Sequence, residues 1–416
     1  MRITLLTYGS RGDVEPFVAL GVGFMRAGHS VRLAAPEVFE QLASSHNIDF
    51  VGLPGDPDSL VQDLVDKAGK NYLRMIRTMS NFVVPIAVDV LDQVQFACED
   101  TDFIIHSFLL TNAGHEIARE KGIPDFSAQL FPVFSTTAEF PGIVFPDLPL
   151  GNLYRRLTHE FITQTFWLGS RVLYRWIRRK YPHLPPLTGW PFSARSDHRT
   201  PILYAFSPHV LPPPADWGED VHVTGYWFID DPDWRPPENL MRFLDSGPTP
   251  IAVAFGSTSS RNPERMANLL REALALSGQR AVIVGVESHF KDPPDTVFQI
   301  DAAPYSWLFA RTSAVVHHGG AGTTGAGLMA GVPNIITPFT SDQPFWGHRV
   351  HALGAGPKPL PAKKLTAQTL SKSIITAVSD KEMRARAKAI GARIRTEGGV
   401  SRATDIVQEY VEGGSW

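Results

Sequence analysis

A glycine-rich segment between residues 314 and 328, AVVHHGGAGTTGAGL, constrains the fold of this chain more than any other stretch. A short apolar run, long enough for one buried strand, ends in His317 and His318. The glycines then lead into a helix predicted to begin at Thr323 or Thr324. Backbone N–H groups at such a helix start have no acceptor within the helix, and the helix dipole adds positive potential. The segment therefore predicts an anion site, with a phosphate as the expected ligand.

The spacing of this segment argues against two common kinds of nucleotide site. A Walker loop would end in Gly-Lys followed by Ser or Thr, and a dinucleotide fingerprint would read GxGxxG with an acidic residue about 20 positions later. The segment fits neither pattern. The segment therefore argues against a nucleoside triphosphatase and against a nicotinamide-dependent enzyme, and we expect a diphosphate-binding site.

Length and composition describe a globular protein with more than one domain. A chain of 416 residues predicts about two to three domains by size. Hydrophobic residues make up 43% and charged residues 19%, and the formal charge of -3 gives no general attraction to nucleic acid. Cys98 is the single cysteine, so we expect a buried thiol and no internal disulfide.

The first residues and the hydropathy of the chain predict a soluble, cytoplasmic enzyme. The strand-like run in MRITLLT is too short for a signal peptide and is followed by glycines rather than by a cleavage site. No window reaches the 18 consecutive apolar residues of a membrane-spanning helix.

Hydrophobic periodicity predicts two successive series of alternating strands and helices. The first series begins with a βαβ unit, and a proline-, tryptophan- and aspartate-rich stretch separates it from the second. We predict an α/β protein with two doubly wound domains and a ligand cleft at the carboxyl ends of the strands. The predicted strands are Ile3 to Thr7, Ser30 to Ala35, Phe103 to His106, Ile251 to Phe255, Ala281 to Gly285, Val297 to Ile300, Ala314 to Val316 and Asn334 to Ile336, and the predicted helices are Pro16 to Ala27, Pro263 to Leu276, Thr323 to Ala330, Lys381 to Thr396 and Ser401 to Tyr410.

Three motifs together carry a resemblance to a known family. They are GSRGDVEP at 9–16, HHGGAGTT at 317–324 and PFTSDQPFWG at 338–347. In this order and spacing the chain resembles the UDP-glycosyltransferase superfamily, family 1 with the GT-B fold, in its sterol and antibiotic branch. The resemblance implies two Rossmann-like domains facing across a cleft, the first binding an acceptor and the second a nucleotide sugar. We expect an N-terminal domain at 1–206, a linker at 207–250, a C-terminal domain at 251–396 and a last helix within 397–416 that crosses back to the first domain.

The catalytic base implied by the resemblance is Asp13, in the loop after the first strand. Sugar transfer to an alcohol needs a group that takes the hydroxyl proton while the diphosphate leaves. Asp13 fits a helix cap equally well by type and position, and both interpretations stay open. Ser10, Arg11 and Gly12 share this loop and are candidates for contacts with the acceptor or the leaving phosphate, with turn formation or simple solvation as the alternatives.

The donor diphosphate is expected on the glycine-rich segment of the second domain. The resemblance assigns a diphosphate contact to His317, whereas His318, which points the other way along an extended strand, fits a buried structural role as well. Oriented backbone and hydroxyl donors stabilise the charge that grows on the leaving group. The remaining candidates are Gly319, Gly320, Gly322, Thr323, Gly256 and Ser257.

Sugar and base recognition are assigned to two further segments. The resemblance places the sugar hydroxyls on Asp342 and Gln343, with helix capping as the alternative. Trp346 either borders the sugar or packs in the core. The main chain near Ala303 and the ring of Trp307 are candidates for holding the nucleobase, and packing is the alternative for Trp307.

No metal is expected at the diphosphate. Two Asp-Pro-Asp sequences, Asp56-Pro57-Asp58 and Asp231-Pro232-Asp233, have the form of a cation motif, but both lie in proline-rich loops where turn chemistry explains them. We place both away from the glycine-rich segment. We predict no cofactor other than the nucleotide sugar, linked to UDP or dTDP, as co-substrate.

The segment 152–180 interleaves aromatic and basic residues, and two interpretations stay open. It forms either a basic amphipathic helix that contacts a membrane surface or a pair of helices that pack their aromatic face on the first domain. The resemblance implies helical insertions here that wall the acceptor pocket, which suits a flat apolar aglycone.

We therefore expect an inverting glycosyltransferase that acts on a hydroxyl of a hydrophobic small molecule, such as a sterol or a polyketide antibiotic. Glucose from UDP-glucose is the favoured donor, with a dTDP-sugar open. The alternatives are a nucleotide-sugar epimerase of the same fold and a non-catalytic nucleotide-sugar-binding protein.

Overall fold

The structure is a computed structural model of the full chain. It describes residues 1–57, 72–180, 187, 189–192, 198, 200–229, 231, 233–255, 263–285 and 293–414. Two parallel sheets organise these residues into two α/β domains, which confirms the predicted fold class.

The first sheet has seven parallel strands in the order β3-β2-β1-β4-β5-β6-β7. Its inner strands are apolar runs, as expected for strands covered by helices on both faces. The strands are β1 Arg2–Leu6, β2 Ser30–Pro36, β3 Asp49–Leu53, β4 Phe103–His106, β5 Asp125–Gln129, β6 Ile202–Tyr204 and β7 Val221–Val223. The helices of this half are α1 Arg11–Arg26, α2 Glu40–Ser44, α3 Tyr72–Ala97, α4 Thr111–Lys121 and α5 Gly151–Lys180.

The second sheet has five parallel strands in the order β10-β9-β8-β11-β12. The strands are β8 Ile251–Ala254, β9 Ala281–Val284, β10 Val297–Ile300, β11 Val315–His317 and β12 Asn334–Ile336. The helices are α6 Glu238–Asp245, α7 Pro263–Ser277, α8 Tyr305–Phe309, α9 Ala321–Ala330, α10 Gln343–Ala352, α11 Ala367–Ser379, α12 Lys381–Ile394 and α13 Gly399–Gly413. Short 3-10 helices lie at Glu37–Phe39, Phe108–Leu110 and Ala362–Lys364.

The predicted linker is corrected by the first sheet. Strand β7 pairs in parallel with β6, so the stretch 207–250 contributes a strand to the N-terminal domain. Helix α6 lies in the same stretch and packs Leu240 among residues of the second domain. Residues 207–250 are therefore shared between the two domains rather than forming a plain linker.

The last helix, α13, lies on the first domain. Ala403 and Val407 are buried in the same apolar cluster as Phe17 and Leu20 of α1. The ring of Tyr410 meets that of Phe126 edge-on, with ring centroids 5.0 Å apart. The chain thus ends by packing its final helix against the domain in which it began.

Two further expectations concern single features. Cys98 is buried, and burial raises the pKa of its thiol to about 12, so the prediction of a buried thiol is confirmed. Among the helices that the structure describes, none combines the length and the apolar character needed to span a bilayer.

Candidate active site

A cleft of about 1230 Å³ lies between the two domains, at the carboxyl ends of both sheets. The loop after β1 lines one side and the start of α9 lines the other. Ligands of open α/β sheets bind at this edge because the loops that follow the strands meet there. The predicted acceptor and donor loops therefore share one crevice.

Asp13 faces this cleft from the first turn of α1. Its Oδ2 accepts hydrogen bonds from the backbone N–H of Ser10 at 2.9 Å and from the Ser10 hydroxyl at 3.1 Å. Burial raises the pKa of Asp13 to about 6, although both bonds from Ser10 act to lower it. The carboxyl group thus caps the helix through one oxygen and titrates close to neutrality, where a general base works best.

The rest of the loop after β1 also lines the cleft. Ser10, Arg11 and Gly12 are all among the lining residues. Arg11 pairs through Nε with Glu15 Oε2 at 2.7 Å, and its side chain is largely exposed. Ser10 is already engaged with Asp13, so its contribution includes positioning the carboxyl group.

The N-terminus of α9 forms the opposite wall. Gly320, Gly322 and Thr323 line the cleft, and no side chain caps the helix. Thr324 N–H donates to the Gly320 carbonyl at 2.9 Å, which leaves the three preceding amides without an acceptor in the helix. These amides supply oriented positive charge for an anion. The helix begins at Ala321 rather than at Thr323.

Glycines let α9 pack tightly enough to form this wall. A Cβ at Gly325 would lie 2.6 Å from the ring of Tyr226, and one at Gly327 would overlap the side chain of Asn334. Glycine in a helix interior destabilises the helix by about 1 kcal/mol relative to alanine. The close packing of Tyr226 and Asn334 against α9 nevertheless requires glycine at these two positions.

His317 does not line the cleft, which corrects its assignment as a direct diphosphate ligand. Its Nδ1 accepts from the Gly319 N–H at 3.1 Å, so the neutral ring carries its proton on Nε2, which donates to Asn334 Oδ1 at 2.9 Å. Burial lowers the pKa of His317 to about 3, and the ring is fully buried. Both ring nitrogens are occupied, and no donor remains for a ligand.

Gly319 is corrected for the same reason. Its N–H donates to His317, and it is not among the residues that line the cleft. Its φ of 97° belongs to the left-handed region, and a Cβ there would meet Ile336 at 2.6 Å. Gly319 therefore shapes the turn between β11 and α9 without facing a ligand.

His318 lines the cleft beside the start of α9. Burial lowers the pKa of its ring to about 4, so the imidazole is neutral at pH 7. Its Nδ1 is buried, and a hydrogen bond with the Ala254 backbone acts against the effect of burial on the pKa. Its Nε2 lies beside Gly320 at the start of α9, so this nitrogen is the one placed to meet a polar ligand atom.

Asp342 and Gln343 line the cleft at the start of α10. Burial raises the pKa of Asp342 to about 6, and the negative charge of Asp13 across the cleft raises it further. Trp346 is completely buried and donates from Nε1 to Asp342 Oδ2 at 2.8 Å, so it packs in the core and fixes the carboxyl group. Gln343 uses its Oε1 to accept from the N–H groups of Phe339 and Thr340, at 2.8 and 3.2 Å.

Of the two candidates for nucleobase binding, one lines the cleft and the other does not. Ala303 lines the cleft, next to Ala302 and Pro304. Trp307 does not, because its ring packs against Trp234 at 4.8 Å and is covered by the Arg311 guanidinium at 4.1 Å. This corrects Trp307 to a packing residue. The candidates Gly256 and Ser257 lie outside the described residues.

The Asp-Pro-Asp sequence at 231–233 contributes to the same cleft as the start of α9, contrary to the prediction. Asp231 and Asp233 both line the cleft, although we expected them away from the glycine-rich segment. Asp231 Oδ1 accepts from the Trp234 N–H at 3.1 Å, which is the turn chemistry that the sequence predicted. In the first sequence, Asp58 lies outside the described residues.

The first-domain side of the cleft is an apolar chamber. Helix α5 presents Ile162, Phe166, Gly169 and Leu173 to it, at helical spacing on one face. Phe108 packs on Phe166 with ring centroids 4.7 Å apart. The segment 152–180 thus forms a single helix rather than a pair, and it walls the chamber as the resemblance implies.

Sequence reasoning missed Ser107, which lines the chamber at the end of β4. Its hydroxyl is buried and has no hydrogen-bond partner in the described part of the chain. Ser107 directly follows a predicted strand that neighbours β1, so the rule that drew attention to Asp13 would also have found it.

A titratable cluster lies apart from the cleft, beneath α4. The buried carboxylate of Asp125 is bonded by His106 Nε2 at 2.8 Å and by His198 Nε2 at 2.6 Å. His115 Nδ1 lies 3.4 Å from it. Despite burial, these histidines hold the pKa of Asp125 well below its usual range. None of the four residues lines the cleft, so we assign them to the packing of the first domain.

Comparison with known proteins identifies relatives of both halves. Residues 3–138 match the glycosyltransferase family 28 N-terminal domain, and residues 277–412 match the C-terminal domain of erythromycin biosynthesis protein CIII-like proteins. The chain is 36% identical over 426 residues to O-mycaminosyltylonolide 6-deoxyallosyltransferase of Streptomyces fradiae, with 99% of this chain and 98% of that protein aligned.

Two further comparisons extend this result. Over 442 residues the chain is 34% identical to a sterol 3-beta-glucosyltransferase of Cryptococcus neoformans, and 99% of this chain spans 27% of that longer protein. The solved structure of the glycosyltransferase VinC in complex with dTDP superposes with a TM-score of 0.64 at 20% sequence identity, covering 99% of each chain.

The two facing parallel-sheet domains, with their shared cleft, are therefore the GT-B fold of glycosyltransferases. Their order along the chain and the position of the glycine-rich helix start agree with the resemblance drawn from the three motifs. The chain belongs to the family 1 glycosyltransferases, in the branch that contains sterol and antibiotic glycosyltransferases.

Proposed function

We propose that this protein is an inverting glycosyltransferase that moves a hexose from a nucleoside diphosphate to a hydroxyl group of a hydrophobic small molecule. The observation that carries the proposal is the joint placement of Asp13, the uncapped start of α9 and the apolar chamber in one cleft. The relatives named above are transferases for a macrolide and for sterols, and this supports an acceptor of that class. It also disfavours the epimerase alternative.

The proposed reaction assigns one task to each wall of the cleft. Asp13 takes the proton from the acceptor hydroxyl, whose oxygen attacks the anomeric carbon from the face opposite the leaving group. The bond between that carbon and the diphosphate oxygen breaks, and the amides at the start of α9 receive the negative charge. Attack from the opposite face inverts the anomeric configuration.

Sugar recognition is proposed for Asp342 and Gln343. A carboxylate accepts hydrogen bonds from sugar hydroxyls, and the Gln343 amide nitrogen remains as a donor because its oxygen is bonded within its own loop. Trp346 holds Asp342 from below, so the carboxyl group is oriented before the sugar binds.

Glucose from UDP-glucose is the donor that we favour, because the segments HHGGAGTTGA and DQPFW have the form seen in the sterol branch. A dTDP-linked sugar is the competing donor, and the dTDP complex of VinC supports it. The two donors differ in the ribose 2′-hydroxyl and in the base, and a direct assay separates them.

The deciding experiment incubates the protein with UDP-glucose or dTDP-glucose and a panel of sterols and macrolide aglycones. We expect nucleoside diphosphate release that depends on the acceptor, together with a glycoside whose anomeric configuration, read by NMR coupling constants, is inverted. Donor isomerisation without an acceptor would favour the epimerase. Tight nucleotide binding without any turnover would favour the non-catalytic alternative, and a retained configuration would remove the inverting mechanism.

Removal of divalent metal is expected to leave the transfer rate unchanged. Uncapped helix amides, rather than a cation, offset the diphosphate charge in the proposed site. Rates measured with EDTA and with added Mg²⁺ or Mn²⁺ should agree. Strict dependence on a metal ion would instead point to Asp231 and Asp233, the aspartates that line the same cleft.

A further inference from the structure

The outer face of helix α5 carries an apolar stripe that faces away from the chamber. Leu153 and Val172 are each 71% exposed, which is far more than packing against this domain would leave. The exposed members of this outer stripe are spaced by three or four residues, apart from one step of seven between Phe161 and Leu168. They are Leu150, which directly precedes α5, and Leu153, Leu157, Phe161, Leu168, Val172 and Trp176. Such spacing places them on one side of the helix.

The outer stripe is distinct from the wall of the chamber. Ile162, Phe166 and Leu173 line the chamber and are partly buried, whereas the members of the outer stripe do not line it. One helix therefore contacts an apolar cavity with one face and solvent with another. A row of exposed apolar side chains along one side of a helix, in contrast to single scattered ones, marks an interaction site in soluble proteins.

The charge around the outer stripe is strongly positive. The segment 152–180 contains seven basic residues and one acidic residue, Glu160. Arg155 and Arg156 are engaged by Asp147 and Asp216 near the start of the helix. At the other end, Arg175 and Arg179 are exposed and form no ion pair within the described residues. They follow Arg171 at intervals of four residues, so the end of the outer stripe is basic.

We propose that the outer stripe docks α5 on the surface of a lipid bilayer that carries anionic phospholipid. Leucine, valine and tryptophan side chains enter the interface between head groups and acyl chains, and Arg175 and Arg179 contact the anionic head groups. The charge pattern selects this occupant over a second copy of the chain. In a dimer formed through the outer stripe, the arginines of the two copies would face one another, and each segment has only one carboxylate, Glu160, to offset their repulsion.

Docking places the acceptor chamber directly above the lipid. Only this one helix then separates the chamber from the bilayer, which shortens the path of an apolar acceptor from the membrane to the cleft. The proposed contact is peripheral, through one face of α5. It does not depend on the transferase reaction.

Vesicle sedimentation of the full chain tests the proposal without any substrate. We expect binding to vesicles of phosphatidylcholine with about one-third phosphatidylglycerol and much weaker binding to pure phosphatidylcholine. Raising the salt from about 0.1 M to about 1 M shortens the Debye length from about 10 Å to about 3 Å and should release most of the bound protein. Equal sedimentation with both vesicle types, or none with either, overturns the proposal.

Two double variants separate the apolar and the basic contributions. Leu153→Gln with Val172→Gln should lower the vesicle partition coefficient by about tenfold or more, because two apolar side chains no longer enter the interface. Arg175→Gln with Arg179→Gln should lower it by roughly fivefold for each arginine. Transfer to a water-soluble acceptor should stay unchanged in both, because none of these residues lines the chamber.

Matched controls lie on the second domain. Leu276→Gln with Ile375→Gln removes exposed apolar side chains elsewhere, and Lys372→Gln with Arg384→Gln removes exposed charge elsewhere. Both controls should bind vesicles like the wild type. If they lose binding equally, the outer stripe is not the docking surface. If size-exclusion chromatography shows a dimer that only the Leu153 and Val172 variant dissociates, the occupant is a second copy and the proposal fails.

Discussion

Asp13→Asn is expected to lower kcat by about 10²–10⁴-fold while the dissociation constant of the donor stays essentially unchanged. The amide keeps an oxygen that can accept from the Ser10 N–H, as the Oδ2 of Asp13 does at 2.9 Å, so the start of α1 is preserved. What is lost is the group that takes the proton. Steady-state kinetics with a soluble acceptor measure kcat, and calorimetric titration with the nucleotide sugar in the absence of acceptor measures the dissociation constant of the donor.

The control for this variant is a second helix-capping aspartate. Asp380 accepts from the Met383 N–H at 3.0 Å at the start of α12 and does not line the cleft. Asp380→Ala should cost about 1 kcal/mol of stability and leave kcat unchanged. If Asp13→Asn behaves like Asp380→Ala, then Asp13 is a cap only and the proposed base is wrong.

The pH profile of the wild type provides a second readout of the same residue. Burial raises the pKa of Asp13 to about 6, so the carboxyl group is protonated, and unable to accept a proton, in more acidic solution. We expect kcat/KM to fall as the pH drops through this value and to level off above it. Asp342, with a pKa also raised to about 6, contributes to the same limb because the two carboxyl groups interact.

The sheets were the most predictable part of the fold. The strands β4, β10 and β12 have the predicted bounds, because strands of a buried parallel sheet are short apolar runs that end where polar residues or glycines begin. Helix α1 was harder, since it begins at Arg11 and not near Pro16. The reciprocal contacts of Ser10 and Asp13 start the helix earlier, and Pro16 removes only one helical hydrogen bond.

The candidate site was predictable by segment but not always by residue. The loop after β1, the start of α9 and the start of α10 all reach the cleft because each follows a strand at its carboxyl end. The direction of adjacent side chains depends on partners that are distant in sequence. The ring of His317 is hydrogen-bonded to Asn334 of β12 inside the domain. The ring of Trp307 packs against Trp234 and does not line the cleft.

The adjacent histidines give the second prediction with a large expected effect. His318→Ala should lower kcat by about 10²–10³-fold, which is the cost of losing one preorganised donor to a developing negative charge. The expectation follows from its place in the cleft beside the start of α9, its neutral ring and the position of its Nε2 next to Gly320. Single-turnover kinetics with saturating donor measure this loss, and the melting temperature should change little.

His317→Ala is the matched comparison, because it alters the neighbouring residue of the same type. Its removal leaves the Gly319 N–H and the Asn334 amide oxygen buried without a partner, which costs about 1–3 kcal/mol for each unsatisfied group. We expect a lower melting temperature and, below it, a kcat reduced less than in His318→Ala. The reverse result, a fully stable His317→Ala protein that has lost turnover while His318→Ala remains active, would show that the diphosphate binds on the side of His317. The turn between β11 and α9 would then have to rearrange when the donor enters, since both nitrogens of that ring are already engaged.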